Sequence, residues 1–413
     1  MDMNRRDFLR TSAFAAATLA VPQGVFAQST SQLKVGVIGF GGRGTGAASD
    51  ALTADPGVVI WSVGDLYQDR IDNSAKYISE NFKGRYLATA DRTFSGLDAY
   101  KGVLASGVDI VILATPPGYR PTHFEAAVAA NKHVFIEKPV AVDAEGIRRM
   151  LKAAADSEAK GLQVVAGTQR RHDPAYRETI KRIRDGQMGD VTACYAYWNQ
   201  GSLWMNARQP DWSDFDWQLR NWLYFTCLSG DIIVEQHIHN IDVCNWVMNA
   251  FPVKAISLGG RQVRTDAAYG HVYDHFATEF EYANGVKMIS MCRQQDGCAN
   301  RVAEHIVGTK GTSNASSVIR GESAFRYDGP RPNPYVEEHR HLIAAIRGGE
   351  KINEARQVTE TTLSAIMGRE AAYTGAEVTR DMMLASTTAY PLPAPSGAIP
   401  VPPVAMPGKT KFA

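Results

Sequence analysis

A glycine turn, one lysine and a short acidic and imidazole-rich run are the residues whose types and spacing can do chemistry in this chain. The turn lies in residues 33–44, LKVGVIGFGGRG, where Gly39, Gly41 and Gly44 fit G-x-G-x-x-G after an apolar run, residues 35–38. The three glycines have separate tasks: a tight turn, a close backbone approach to a pyrophosphate, and close packing of the following helix on the strand. A helix expected over residues 45–52 would then offer free N–H groups and a partial positive charge to phosphate. Phe40, Gly42 and Arg43 complete the turn, and the next apolar run, residues 58–64, closes on Asp65. A carboxylate at that place accepts hydrogen bonds from both ribose hydroxyls of NAD and repels the extra phosphate of NADP. The lysine is Lys138, in Glu137-Lys138-Pro139 at the end of KHVFI, residues 132–136. The imidazole-rich run is residues 229–242, SGDIIVEQHIHNID, with Glu235, His237, His239 and Asp242.

The elements that must position these groups alternate between strands and helices. After residues 58–64 comes DIVILA, residues 109–114, a short apolar strand of the parallel-sheet type, closed by Thr115-Pro116-Pro117-Gly118. A helix over 123–130, the strand 132–136 and a further strand over 163–167 follow. In a doubly wound sheet the carboxyl ends of the strands border the ligand crevice. Thr115, Pro116, Glu137 and Lys138 therefore belong to the same edge as Gly39 and Asp65. A lysine there can polarise or deprotonate a hydroxyl beside a nicotinamide ring; on position alone it is equally a surface lysine.

The second half changes pattern. Residues 191–199, VTACYAYWN, alternate as a strand, and residues 276–283 and 286–291 flank Asn284-Gly285, a strong hairpin signal. With a strand over 302–307 they predict an open, largely antiparallel sheet, helices on one face and the other face free for a second subunit. Residues 204–225 hold Trp204, Trp212, Trp217 and Trp222 among carboxylates and amides, a mixture suited to carbohydrate, although most such rings are expected in the core. Trp204 and Trp222 are the candidates for substrate contact; Arg170, Arg171 and His172, in TQRRHDPAY, are candidates for contacting substrate or cofactor that read more readily as helix-start charges on the surface. Two amphipathic helices are expected within residues 335–383, with His339 and His341 structural. Residues 390–413, rich in proline and small residues, read as an extended strap.

Residues 1–27 are expected to lie outside the fold. Asn4-Arg5-Arg6-Asp7-Phe8-Leu9-Arg10 is a twin-arginine pattern, followed by an apolar run over 13–21 and small residues at 25–27. The expectation is a signal segment, 1–27, and a protein exported already folded to the periplasm or beyond. The five cysteines are odd in number with no C-x-x-C pair, which disfavours disulfides. No pool of free NAD is expected outside the cytoplasm, so the cofactor would have to travel with the protein and return to its starting redox state in place. About 385 mature residues suggest two domains, over 33–165 and 166–389. A net charge of +1 gives no electrostatic case for nucleic acid or an anionic membrane surface.

The turn GFGGRG, the Thr115-Pro116 turn and KHVFIEKP, in that order and spacing, resemble the glucose–fructose oxidoreductase/inositol dehydrogenase/MocA (Gfo/Idh/MocA) family. The resemblance implies an α/β fold: a Rossmann doubly wound parallel sheet followed by an α+β domain with a large, mostly antiparallel open sheet. It makes Lys138 the catalytic lysine and, in the register of residues 229–242, His239 the catalytic histidine and Asp242 the later acid. Glu235 stands where the family has aspartate, and His237 where it usually has glycine. On this reading His239 relays a proton beside Lys138, Glu235 orients a group, and His237 bonds substrate or assists a second transfer. A metal reading is also open: on a strand, Glu235, His237 and His239 would share one face, whereas on a helix only Glu235 and His239 align. The expected activity is nicotinamide-dependent oxidation of a sugar or glycoside hydroxyl by a homodimer or homotetramer. The alternatives are redox-neutral glycoside cleavage through a keto-sugar, and a non-catalytic sugar-binding protein with a structural dinucleotide.

Overall fold

The structure, a computed structural model, describes residues 31–413. The twin-arginine segment lies outside the described residues. The first sheet contains β1 (Leu33–Ile38), β2 (Val58–Asp65), β3 (Thr93–Ser95), β4 (Ile110–Leu113), β5 (His133–Ile136) and β6 (Val164–Ala166). Its six strands are all parallel, in the order β3-β2-β1-β4-β5-β6. Strand order reverses between β1 and β4, the place where a doubly wound sheet opens a ligand crevice. The register decides what borders that crevice. Gly64, Ile38, Leu113 and Ile136 stand in one row across four strands, so Asp65, Gly39 and Glu137-Lys138 leave the sheet at one level.

Both faces of this sheet are covered by helices, as its continuous Val/Ile/Leu strands require. The helix after the glycine turn, Gly42–Ala54, begins three residues earlier than expected, directly at the turn. The next difference is the helix Arg120–Ala129, expected over 123–130; Pro121 sits in its first turn, where a missing N–H costs no helical bond.

The second sheet contains β7 (Val191–Gln200), β8 (Lys254–Gly260), β9 (His275–Glu281), β10 (Lys287–Gln294), β11 (Arg301–Gly308), β12 (Gly311–Ser313), β13 (Val318–Gly321), β14 (Phe325–Arg326) and β15 (Val378–Thr379). These nine strands run in the order β14-β13-β12-β11-β7-β10-β9-β8-β15, and β7 and β10 are the one parallel pair. The hairpin at Asn284-Gly285 is wider than the two-residue turn those residues suggest. Tyr282 N–H bonds to the Val286 carbonyl at 3.0 Å, leaving Ala283-Asn284-Gly285 as a three-residue loop with Gly285 left-handed at φ +81°.

The helices Ile238–Met248 and Ala355–Thr374 cover the inner face of this sheet. The second of them is buried almost all round, because β8 and β9 lie against one side and the helix Ala144–Ala159 of the first layer against another. On the outer face Ile256, Leu258 and Met291 are exposed. Residues 390–413 contain no helix or strand; Tyr390 N–H donates to Asp143 at 2.9 Å, and the Tyr273 hydroxyl donates to the Ala405 carbonyl at 2.9 Å. All five cysteines are free thiols. Among the described residues no helix is long and apolar enough to cross a membrane.

Burial holds several imidazoles uncharged. His123 and His271 are lowered to about 4 and His237 to about 3, each first by desolvation and then by a neighbouring arginine. On unfolding they regain a value near 6.5 and bind protons, so the unfolded state holds more protons between about pH 6.5 and 4. Stability is therefore full above pH 6.5 and lost as pH falls; His123 alone contributes about 3 kcal/mol across that window. Thermal melts are expected to show Tm falling steadily from pH 7 to 4.5. A Tm flat over that range would contradict neutral buried histidines.

Candidate active site

The glycine turn is shaped by close backbone approach on one side and left open on the other. Gly39 has φ +89°, and a Cβ there would lie 2.6 Å from the Thr115 nitrogen. A Cβ on Gly44 would strike the Gly39 carbonyl oxygen. By contrast a Cβ on Gly42 would meet nothing within 4 Å, and one on Gly41 only the side chain of Arg70, at 3.8 Å. No side chain caps the N-terminus of the helix that follows. An open cradle of backbone N–H groups at a helix start, with a guanidinium at its rim, fits the pyrophosphate of a dinucleotide.

The expected cofactor residues divide by what they touch. Asp65 accepts the Tyr67 N–H at 3.1 Å, and burial raises its pKa against the pull of Arg70. Its carboxylate stands at the end of β2, where a ribose would lie. Phe40 contributes backbone shape only, since its ring is wholly buried and its carbonyl accepts from the Ser74 hydroxyl at 2.6 Å. Thr115 meets the turn beside Gly39 and shares a 3.0 Å hydrogen bond with His123; Pro116 precedes the short helical turn Pro117–Tyr119. Glu137 is buried and ion-paired with Arg43, which also reaches Asp50 at 3.4 Å and Glu338 at 3.5 Å. Burial would raise the Glu137 carboxyl, but Arg43 and Arg120 outweigh it and hold it below its usual value. Both residues thus brace the turn.

Lys138 is held from the second half of the chain. Its Nζ donates to the Glu235 carbonyl at 2.5 Å and to Glu235 Oε1 at 3.1 Å, with both side chains 12% exposed. The run containing Glu235 is helical: Ile232–Glu235 and Ile238–Met248 are two helices separated by Gln236-His237. This removes the strand face on which Glu235, His237 and His239 would have formed a metal site. His239 lies in the first turn of Ile238–Met248, its ring stacked 5.7 Å from that of Trp198. Desolvation, then the charges of Lys138 and Arg170, lower its pKa well below 6.5. A neutral imidazole accepts a proton; an ammonium beside it polarises oxygen. Together they can take a hydroxyl proton without a free base from solvent.

Three expected site residues take other roles. His237 is fully buried and its Nε2 shares a 2.7 Å hydrogen bond with Ser290 of β10, so that nitrogen braces the sheet. Asp242 is buried and chelated by Arg171 at 2.7 and 2.9 Å, with Gln357 and Thr361 at 2.5 and 2.9 Å, a structural tie between helices. His172 is buried against His341, Nδ1 to Nδ1 at 2.7 Å. It lines a separate cavity of about 780 Å³ with Arg177, Trp246 and Tyr327, which contains none of Lys138, Glu235 and His239. Arg170 does belong to the site: it is ion-paired with Glu304 and lies 5.7 Å from the Trp198 ring against which His239 stacks. Trp204 and Trp222 face each other at 6.2 Å on the partly exposed rim of the aromatic segment. Sequence reasoning missed Arg70, Glu304 and Trp198. Arg70 follows Asp65 closely enough to have been a candidate; the other two come together only through strand pairing.

Comparison with known proteins places the chain by family and fold. The family model described as the oxidoreductase family, NAD-binding Rossmann fold, matches residues 33–165, and that of the GFO/IDH/MocA C-terminal domain matches residues 176–314. Inositol 2-dehydrogenase of Rhizobium meliloti (strain 1021) is 27% identical over 307 residues, covering 67% of this chain and 86% of that protein. A 2,7-anhydro-N-acetylneuraminate hydratase of Escherichia coli (strain K12) is 26% identical over 231 residues, 56% of each chain. Among solved structures, scyllo-inositol dehydrogenase from Lactobacillus casei with bound NAD(H) and scyllo-inositol shares the fold at a TM-score of 0.64 and 19% identity, over 85% of this chain and 99% of that one. The dinucleotide cradle, the lysine at the end of β5 and two family models spanning well over half of the sequence lead to one conclusion: this chain belongs to the Gfo/Idh/MocA family of NAD-dependent oxidoreductases.

Proposed function

We propose that this protein is an exported oxidoreductase that oxidises a hydroxyl of a sugar or glycoside, using one NAD that stays bound and is recycled in place. The observation that carries the reading is the Lys138–Glu235 pair beside the uncharged His239, at the strand edge that also presents Gly39 and Asp65. NAD, when bound, supplies the acceptor for the carbinol hydrogen. The chain's own groups do the rest. Glu235 fixes the Lys138 ammonium, which polarises the reacting hydroxyl, and neutral His239 accepts its proton. The glycine turn and Arg70 hold pyrophosphate, and Asp65 the ribose.

Export is read from the twin-arginine pattern in residues 4–10. With no coenzyme pool outside the cytoplasm, a closed redox cycle fits better than net dehydrogenation. In one version a second sugar or ketone is reduced. In the other, oxidation acidifies a neighbouring C–H, a glycosidic bond leaves by elimination, water adds, and the hydride returns to the keto carbon, so that no net oxidation remains; the relative named as a hydratase favours keeping this version. His237 gives it no support, because Ser290 occupies its Nε2. The exposed apolar residues Ile256, Leu258 and Met291 suit pairing of the second sheet with another copy as a dimer or tetramer.

Two outcomes follow for a panel of sugars and glycosides assayed without added NAD. Lys138→Met is expected to lower kcat by about a thousandfold with the bound cofactor retained; a drop of less than tenfold would remove Lys138 from the chemistry. Because His239 is active when uncharged and its pKa lies well below 6.5, kcat/KM is expected to stay level from pH 8 to 6 and fall only in more acid solution. An acid limb centred at or above pH 6.5 that disappears in His239→Asn would contradict this.

A further inference from the structure

The aromatic segment is fastened to the first sheet's loops. Phe215, Leu219, Tyr224, Phe225 and Leu228 form a buried cluster against which Leu66, Tyr67 and Tyr119 pack. Leu66 and Tyr67 leave the end of β2 directly after Asp65, and Tyr119 belongs to the turn that follows Thr115. Polar contacts repeat the attachment. The Tyr67 hydroxyl donates to Asp216 Oδ1 at 2.9 Å, and Arg220 donates to both Asp69 oxygens at 3.3 Å while its guanidinium lies 4.0 Å from the centre of the Tyr67 ring. A Cβ on Gly118 would strike the Cys227 carbonyl oxygen, so the two backbones touch there. The strap supports the same segment from behind: Gln218 donates to the Ile399 carbonyl at 3.1 Å, and the Ile399 N–H donates to Asp214 at 3.3 Å.

These loops flank the crevice of the dinucleotide, and the end of β2 is its adenosine side. We propose that residues 203–228 form a clasp over the adenosine end of bound NAD, closed by Tyr67–Asp216 and Arg220–Asp69, which slows departure of the cofactor. The proposal rests on the reading that NAD is resident. A ligand beneath a covered edge leaves only when the cover lifts. The two polar ties and the apolar cluster set how often that happens, so tight retention requires no unusual contact to the adenine itself. The ion pair is the weaker tie, since Asp69 is 57% exposed and salt screens it.

The test is the release rate of NADH from the full-length protein, followed by loss of bound NADH fluorescence during a chase with excess NAD. Tyr67→Phe combined with Arg220→Gln is expected to speed release at least tenfold, and a folded variant that retains no NADH is the same result at its limit. Arg220→Gln alone is expected to give a smaller acceleration and to remove the increase in release rate that added salt causes in the unaltered protein. The exchange Asp69→Arg with Arg220→Asp is expected to release more slowly than Arg220→Asp alone. Lys152→Gln, which breaks the exposed Lys152–Asp156 pair on the helix Ala144–Ala159 and touches neither the clasp nor the β2 loop, is expected to release at the unaltered rate. Unchanged release in both Arg220→Gln and the Tyr67→Phe combination, with circular dichroism and Tm preserved, would overturn the clasp. Fast exchange in the unaltered protein would instead overturn the resident-cofactor reading, while the ratio of variant to unaltered rates still judges the clasp.

Discussion

The ion pair between Lys138 and Glu235 is the contact on which the arrangement of the site depends. Lys138 is placed by β5 and Glu235 by the helical run that precedes Ile238–Met248, and each side chain is 12% exposed. An ammonium and a carboxylate so far from water stabilise each other, and removing one leaves the other uncompensated, at a cost of about 3–5 kcal/mol. The pair therefore joins the edge of the first sheet to the second half of the chain and aims the lysine at the same time. Its charge, after burial itself, helps keep His239 neutral. One contact thus fixes a donor and conditions an acceptor.

A second constraint lies in the parallel register. Because Gly64, Ile38, Leu113 and Ile136 are level, four separate turns open on one crevice without any long loop to bring them there. The sharp turn at Gly39 and the close approach of Gly44 to its carbonyl then set the helix start against the strand ends. Arg43, Glu137, Arg120 and the buried Glu338 brace this corner, and Glu338 is held well above its usual pKa, first by burial and then by Glu137. Electrostatics here maintain shape; the open side of the turn at Gly41 and Gly42 remains for the ligand.

The parts that local rules govern were legible in the sequence. The glycine turn, Asp65 and the strand ends follow from short apolar runs and their closing residues, and Lys138 follows from its place after β5. The second sheet was legible in type but not in extent, because β8 ends in two glycines and β13 to β15 are too short for periodicity to show. Site residues were less legible, since residue type does not reveal burial. Asp242 reads as an acid near a catalytic histidine, yet its partners Gln357 and Thr361 come from a helix more than a hundred residues away. His172 reads as a candidate for substrate, yet it is held against His341, 169 residues away in sequence. The aromatic run reads as a sugar platform, and only tertiary structure shows Asp216 and Arg220 reaching Tyr67 and Asp69.

The central claim is a resident, recycled NAD, and its content in the protein itself tests that most directly. Protein purified from the exported fraction without added coenzyme would be denatured and the released dinucleotide separated and counted per chain. The account predicts close to one NAD(H) per chain, with NADP absent because Asp65 occupies the ribose position. Substoichiometric dinucleotide, with rapid and complete exchange when NAD is added back, would contradict a cofactor that travels with the protein and would make it an ordinary dehydrogenase.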